Sequence, residues 1–254
     1  MLGAKPYQPM KKALISIAAV ILAGVSLPAA TLTLAPVADT TLQSAYVGNN
    51  LGGDSSLWIG GRRQGGVARG LFRFDLSSVP AGATINSATL TLSVTRTPSG
   101  CVNSLFDLHR VSESWGEGNN GGHGGGTTAD ANEASWNSRF APGTPWTTPG
   151  GSFAPAVSAS RSIGGNGSYT FSSTAGLVSD VQSWVNNPSG NFGWELISQS
   201  ENTPTSIRLF GSRTGGSTAP SLLINYTPVP EPSTLALVVL GGLGIWFARR
   251  RRQT

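Results

Sequence analysis

Residues 88–94 read ATLTLSV. Ala88, Leu90, Leu92 and Val94 fall on one side of an extended chain, and Thr89, Thr91 and Ser93 on the other. A period of two is what a strand buried on one face requires, and no helix satisfies it. RGLFRFDL (69–76) groups Phe72, Phe74 and Leu76 in the same way, and LFDLHRV (105–111) alternates too. FGWELIS (192–198), SIRLFGS (206–212) and SLLINY (221–226) read as further strands. Between them stand Gly, Ser, Thr and Asn, the residues of turns. Roughly eight or more short, half-buried strands pack as two stacked antiparallel sheets. The expected fold is all-β, an antiparallel β-sandwich of jelly-roll form.

Two segments depart from the alternation. In STAGLVSDVQSWVNNPSG (173–190), Leu177, Val181, Trp184 and Val185 recur at helical spacing. Ser173 or Thr174 can cap the start and Pro188 stops the far end, which predicts one short helix laid across an open end of the sandwich. From Gly116 to Gly151 the pattern fades into GEGNNGGHGGGTTADANEASW and its continuation, which reads as a long loop without a core of its own. Long surface loops often carry function.

The chain ends differ from the middle. Lys5, Lys11 and Lys12 precede the apolar stretch Ala13–Leu27, and Pro28-Ala29-Ala30 follows with small residues. This is the order of a secretory signal peptide, and the apolar stretch is short for a span. Residues 1–30 are therefore set aside as a signal helix, with cleavage near Ala30. The net charge of +5 is held by the ends. Those three lysines and Arg249, Arg250, Arg251 and Arg252 are seven of the 17 basic residues. Between them, ten arginines face eleven acidic residues from Asp39 to Glu201, a net of −1. The high pI thus gives no support to a nucleic-acid partner. Basic residues outside both apolar runs place the middle on the far side of the membrane. Cys101 is the only cysteine, so the middle is held by packing, not by a disulfide framework, and that thiol reads as unreactive.

Within the middle, ARGLFRFDLSSVPAGATINSATLTLSV (68–94) carries Phe74-Asp75-Leu76, Ser78, Pro80, Gly82-Ala83, Ile85, Ser87-Ala88, Leu90 and Leu92 in one order. This resembles the signature of the DNRLRE-type extracellular β-sandwich domain. VADTTLQSAYVGNNLGGDSSLWIGG, LHRVSESWGEG, SWNSR, LVSDVQSWVNNPSGNFGWELIS and APSLLINY resemble that family's other elements in turn. The glycine tract Gly118–Gly126 widens the usual spacing, and Ser172-Ser173-Thr174 stands where the pattern has an aspartate before the helix. The likeness spans about residues 36–226 and sets the domain at 31–227. Such domains resemble carbohydrate-binding modules, so the resemblance implies non-catalytic glycan binding or a structural role at the cell surface. Pro80 and Gly82 suit a turn between strands, and Asp75 suits an acceptor for backbone N–H groups in the turn after it.

At the C-terminus, Val229-Pro230-Glu231-Pro232-Ser233 leads into an apolar run and then Arg249–Arg252. The stretch 228–254 resembles the PEP-CTERM sorting signal, with a transmembrane segment at 234–248. The resemblance implies an exosortase-type membrane protease as partner, an exopolysaccharide-producing Gram-negative bacterium as source, and passage through the inner membrane to the surface or extracellular matrix. Only 17 residues separate Glu231 from Arg249, against roughly 20 for a typical span. That length suits transient anchoring and cleavage close to Pro230-Glu231-Pro232.

The chemistry of the middle is sparse. His109 and His123 show no zinc-ligand spacing, and G-x-S-x-G is absent. GEGNNG (116–121) fits a dinucleotide fingerprint by letter but opens no helix. Glu113 and Glu117 flank Trp115-Gly116, with Arg110 nearby, so a lyase or hydrolase centre is the enzymatic alternative. The plainer reading is a turn whose glutamates accept backbone N–H groups. No cofactor is required. Structural calcium is the one metal considered, with oxygen ligands from Asp39, Asn49, Asn50 and Asp54 around GNNLGGD. Glycans stack on exposed aromatic rings. Trp58, Trp184 and Trp194 lie in patterned segments and read as core, which leaves Trp115, Trp136 and Trp146, with Glu113 and Arg110, as the glycan-binding residues. The expected function is an exported, non-enzymatic surface or matrix protein that binds or organises polysaccharide. A purely structural surface or biofilm protein without a soluble ligand is the second alternative.

Overall fold

A computed structural model describes residues 28–229 and the single position Gly241. The signal segment, the sorting motif beyond Val229 and the transmembrane segment at 234–248 lie outside the described residues. Among those described, no helix is long and apolar enough to cross a membrane.

Eleven strands carry the domain: β1 (Ala30–Leu34), β2 (Pro36–Gln43), β3 (Ser56–Gly61), β4 (Val67–Phe74), β5 (Thr84–Arg96), β6 (Ser104–Val111), β7 (Phe153–Ile163), β8 (Gly167–Phe171), β9 (Trp194–Ser198), β10 (Arg208–Gly211) and β11 (Ser221–Thr227). A helix, α1 (Ala175–Asn186), lies between β8 and β9. The strands form one curled antiparallel sheet in the order β1-β11-β5-β10-β3-β4-β9-β6-β7, with β8 pairing to β5 and β2 to β4. β3 is the seam. Its residues Ser56–Ile59 pair with β10, and Gly60 and Gly61 pair with β4. Glycine is needed at that crossing: Gly60 has φ of 120°, and a Cβ on Gly61 would lie 2.1 Å from the Thr203 carbonyl oxygen.

The alternation in the sequence is the alternation of burial. Ala88, Leu90, Leu92 and Val94 of β5 meet Phe72 and Phe74 of β4, Phe106 and Leu108 of β6, and Trp194 of β9 in the main core. The turn after β4 forms as its residues dictate. Ser77 donates from N–H to Asp75 Oδ1 at 2.9 Å, and Ala83 N–H donates to Pro80 O at 3.0 Å. The helix starts at a cap supplied by Thr174, whose Oγ1 accepts from Leu177 N–H at 3.1 Å. It closes the core with Leu177, Val181 and Trp184. Asp180 pins it to the sheet, accepting from Trp194 Nε1 at 2.8 Å and from Ser158 Oγ.

The segment 112–152 is not the coreless loop expected from its composition. It folds over the outer face of β4, β9 and β6 and builds a second apolar cluster there, in which Trp115, Ala134 and Trp146 join Ala38, Leu42, Leu71 and Val111. Polar side chains tie the segment down. Asn50 is fully buried; its Nδ2 donates to Glu117 O and Ala134 O, both at 2.8 Å, and its Oδ1 accepts from Gly52 N–H at 2.9 Å. Buried Glu133 accepts from the N–H groups of Asn119 and Asp130, each at 2.9 Å. Asn50→Ala strands three buried backbone groups, at about 1–3 kcal/mol each. The expected result is a fall of about 3 kcal/mol or more in a urea unfolding titration. An unchanged midpoint would show that the loop is not held through this amide.

Both ends of the domain leave together. Ala30 pairs with Tyr226, so β1 and β11 begin and finish side by side. β5 runs from Thr84, opposite Thr227, to Arg96, opposite Leu209, and Leu209 in turn faces Trp58. The β3–β4 hairpin therefore turns at the opposite end of the sandwich.

Candidate functional site

At that opposite end the β3–β4 turn borders an open cleft of about 390 Å³, lined also by Trp136 from the long loop and by Glu201, Asn202 and Pro204 after β9. Gly65 and Gly66, with φ of 92° and 82°, make the turn tight enough to bring Arg62 to the cleft. Arg62 is fixed there: its Nη1 donates to Gly124 O at 2.7 Å and to Gln43 Oε1, and its guanidinium lies 5.5 Å from the Tyr46 ring centre.

Trp136 is half-buried. Arg69 stands in β4 on the outer face, with its guanidinium 5.3 Å from the Trp136 ring and 5.7 Å from that of Phe153. Arg69 donates from Nη1 to Gly150 O at 3.1 Å, and a Cβ on Gly150 would lie 2.6 Å from the indole. The arginine and the glycine both pack on the ring, which also borders the cleft. Arg69 is also in a fork with Glu201, donating from Nε at 2.9 Å and from Nη2 at 2.8 Å. A bidentate pair of this kind sets the orientation of both side chains. The result is an aromatic plate and a carboxylate held by Arg69, with exposed Asn202 at the same opening.

Beneath the plate lies Glu195 of β9. It is fully buried, and neither of its carboxylate oxygens makes a hydrogen bond among the described residues. Its nearest cation is Arg69 Nη1 at 3.9 Å. Burial pushes the acid up to about 8, against the pull of Arg69 and with a further push from Glu201. Glu195 is therefore neutral at pH 7.

The residues singled out in the sequence are scattered. Trp115 and Trp146 are 3% exposed, so they are core side chains and not sugar platforms. Their indole N–H groups donate inward, to Phe192 O and to Ser135 O, both at 2.9 Å. Of the three loop tryptophans only Trp136 borders an opening. Trp58, expected in the core, is half-buried instead, because Leu57 and Ile59 on either side take the inward positions. Glu113 accepts from Thr147 N–H at 3.0 Å and lies 4.0 Å from Arg139; burial pushes its carboxyl up, but Ser152 first, then Thr147 and Arg139, hold it below the usual value. Glu117 accepts from Asp39 N–H at 2.8 Å and pairs with Arg213. Arg110 lies against the helix, 3.7 Å from Asp180. Each of the three thus has its own partners, and the two glutamates accept backbone N–H groups.

The residues considered for calcium bond within the protein, although Asp54 Oδ2 is buried without a hydrogen-bond partner among the described residues. Asn50 holds the loop as described, Asn49 Nδ2 donates to Gly125 O at 2.9 Å, and Asp54 Oδ1 accepts from Ser56 N–H at 3.3 Å. Asp39 is buried, accepts from Arg213 N–H, and is raised to about 7, first by burial and also by Glu117. Among the described residues no three acidic, histidine or cysteine side chains come together as a metal site. Sequence reasoning missed Arg62, Arg69, Glu201 and Asn202. The one available signal was a charge at Arg69 and at Glu195 in the middle of otherwise apolar strands.

Residues 30–120 match carbohydrate-binding module family 96, and residues 228–252 match the PEP-CTERM protein-sorting motif. The chain thus carries a carbohydrate-binding-module-like domain followed by a C-terminal sorting signal. The match covers β1 to β6 and includes Arg62 and Arg69, while Trp136, Glu201 and Asn202 follow it in sequence. No curated protein matches the chain significantly.

Proposed function

We propose that this protein is a non-catalytic polysaccharide-binding protein of the cell surface or extracellular matrix, and that it grips its ligand at the cleft beside Trp136. The observation that carries this reading is the backed, half-exposed indole facing an opening ringed by Arg62, Glu201 and Asn202. A sugar presents an apolar face to the ring and hydroxyls to the surrounding donors and acceptors. The cleft stands at the end of the sandwich away from Ala30 and Tyr226, where the first and last strands of the domain pair. An exosortase-type protease reads Val229–Ser233 while the tail sits in the inner membrane, and releases the domain to the surface of a Gram-negative, exopolysaccharide-producing cell.

Affinity electrophoresis in gels loaded with neutral or acidic polysaccharides tests the binding. Retardation by at least one polymer is expected, and free migration through every gel overturns the reading. Processing has its own check in mass spectrometry of the surface-exposed protein. Its last peptide is expected to end near Pro230-Glu231-Pro232, and recovery of peptides containing Trp246 would show that the tail is retained.

A further inference from the structure

Trp58 repeats the construction of Trp136. It lies in β3 between Leu57 and Ile59, which are 1% and 0% exposed, so its side chain is turned away from the main core. A glycine backs it as Gly150 backs Trp136: a Cβ on Gly124 would lie 2.7 Å from the indole, and Gly124 has φ of 78°. Beside Trp58 is a second open recess, of about 120 Å³, lined by Arg62, Arg63, Gln64, Pro98 and Ile207. Arg62 borders both recesses. The two are also tied mechanically, because Gly124 packs on Trp58 and its carbonyl accepts from Arg62.

From this pairing we infer that the domain has a second sugar subsite at Trp58, and that its ligand is a linear polysaccharide lying across Arg62 from one indole to the other. The inference rests on the cleft beside Trp136 being the glycan site. Each recess alone is too small and open to enclose a chain, whereas two aromatic plates separated by one arginine suit consecutive parts of the same polymer. Pro98 and Ile207 give the second recess an apolar wall for a sugar face, and exposed Arg63 and Gln64 offer donors to hydroxyls. Affinity then depends on chain length, since the second subsite is filled only by oligomers that already occupy the first.

The test is calorimetric titration with size-defined β-1,4-glucan, β-1,4-mannan and galacturonate oligomers, from disaccharide to octasaccharide. The wild-type protein is expected to gain about tenfold in affinity over one series, the worth of one added aromatic contact. Trp58→Ala is expected to remove that gain and leave the disaccharide within about twofold. Because Trp58 also packs on Gly124, the exposed Arg63→Ala serves as a second variant, expected to weaken only the longer oligomers, by about threefold. Wild-type affinity that does not change with length overturns the second subsite alone. So does a Trp58→Ala protein, or an Arg63→Ala protein, with the wild-type length dependence or with equal loss at every length. Failure of the wild type to bind any series overturns this inference, and the cleft falls with it only when the protein also migrates freely through every polysaccharide gel.

Discussion

Trp136→Ala is expected to weaken polysaccharide binding about a hundredfold or more, on the order of 3 kcal/mol, with a smaller loss of thermal stability than truncation of either buried loop tryptophan causes. Binding energy concentrates in a few aromatic and arginine side chains that fill the centre of a site, and Trp136 is the one such ring that the cleft exposes. The mutation leaves the Arg69–Glu201 fork intact, since both of those bonds are made without the indole. Trp136→Phe keeps an apolar plate and is expected to retain part of the affinity. The other loop tryptophans should behave in the opposite way. Trp115→Ala and Trp146→Ala empty buried volume in the second apolar cluster and cost about 3–5 kcal/mol of stability. Titration and thermal melts of the three alanine variants separate the cases. If Trp136→Ala binds like the wild type, the cleft is not the glycan site.

That contrast marks where sequence stops being readable. Strand faces are written locally, in alternations such as ATLTLSV, so the sheet and its core follow from the chain alone. The same holds for the Asp75 turn and the Thr174 cap, whose partners lie within three residues. The faces of LWI in β3 are not written, because three apolar residues in a row do not say which side is buried. Nor is the burial of Trp115 and Trp146. It depends on acceptors and apolar partners brought in from β2, β4 and the segment before β9, and a tract of Gly, Asn and Thr carries no periodicity to announce them. The site is split in the same way: its arginines lie in patterned strands and turns, and Trp136, Glu201 and Asn202 lie in segments that only the folded chain brings beside them.

Glu195 leads to the second large effect, which is one of pH. A carboxyl that titrates at about 4.5 in the unfolded chain and at about 8 in the folded one keeps its proton on folding throughout that interval. The folded state therefore binds more protons than the unfolded state, and stability falls as pH rises from about 4.5 to about 8. The slope approaches about 1.4 kcal/mol per pH unit and flattens above 8. Asp39, raised from 3.8 to about 7, adds a slope of the same sign that ends near pH 7. Between pH 7 and 8 the loss is chiefly that of Glu195. Glu195→Gln fills the same space without a titrating proton, so it is expected to match the wild type below pH 5 and to exceed it progressively above. By pH 8 the difference is several kcal/mol, or ~10 °C in melting temperature for a domain of this size. Because Arg69 backs the Trp136 plate and lies beside both Glu195 and Glu201, an ionised Glu195 also competes with Glu201 for the guanidinium. Wild-type protein is therefore expected to lose polysaccharide affinity above pH 8, and Glu195→Gln to keep it. Melting curves of the two proteins that stay parallel from pH 5 to 9 would show that Glu195 is charged in the folded domain, and that the plate does not respond to it.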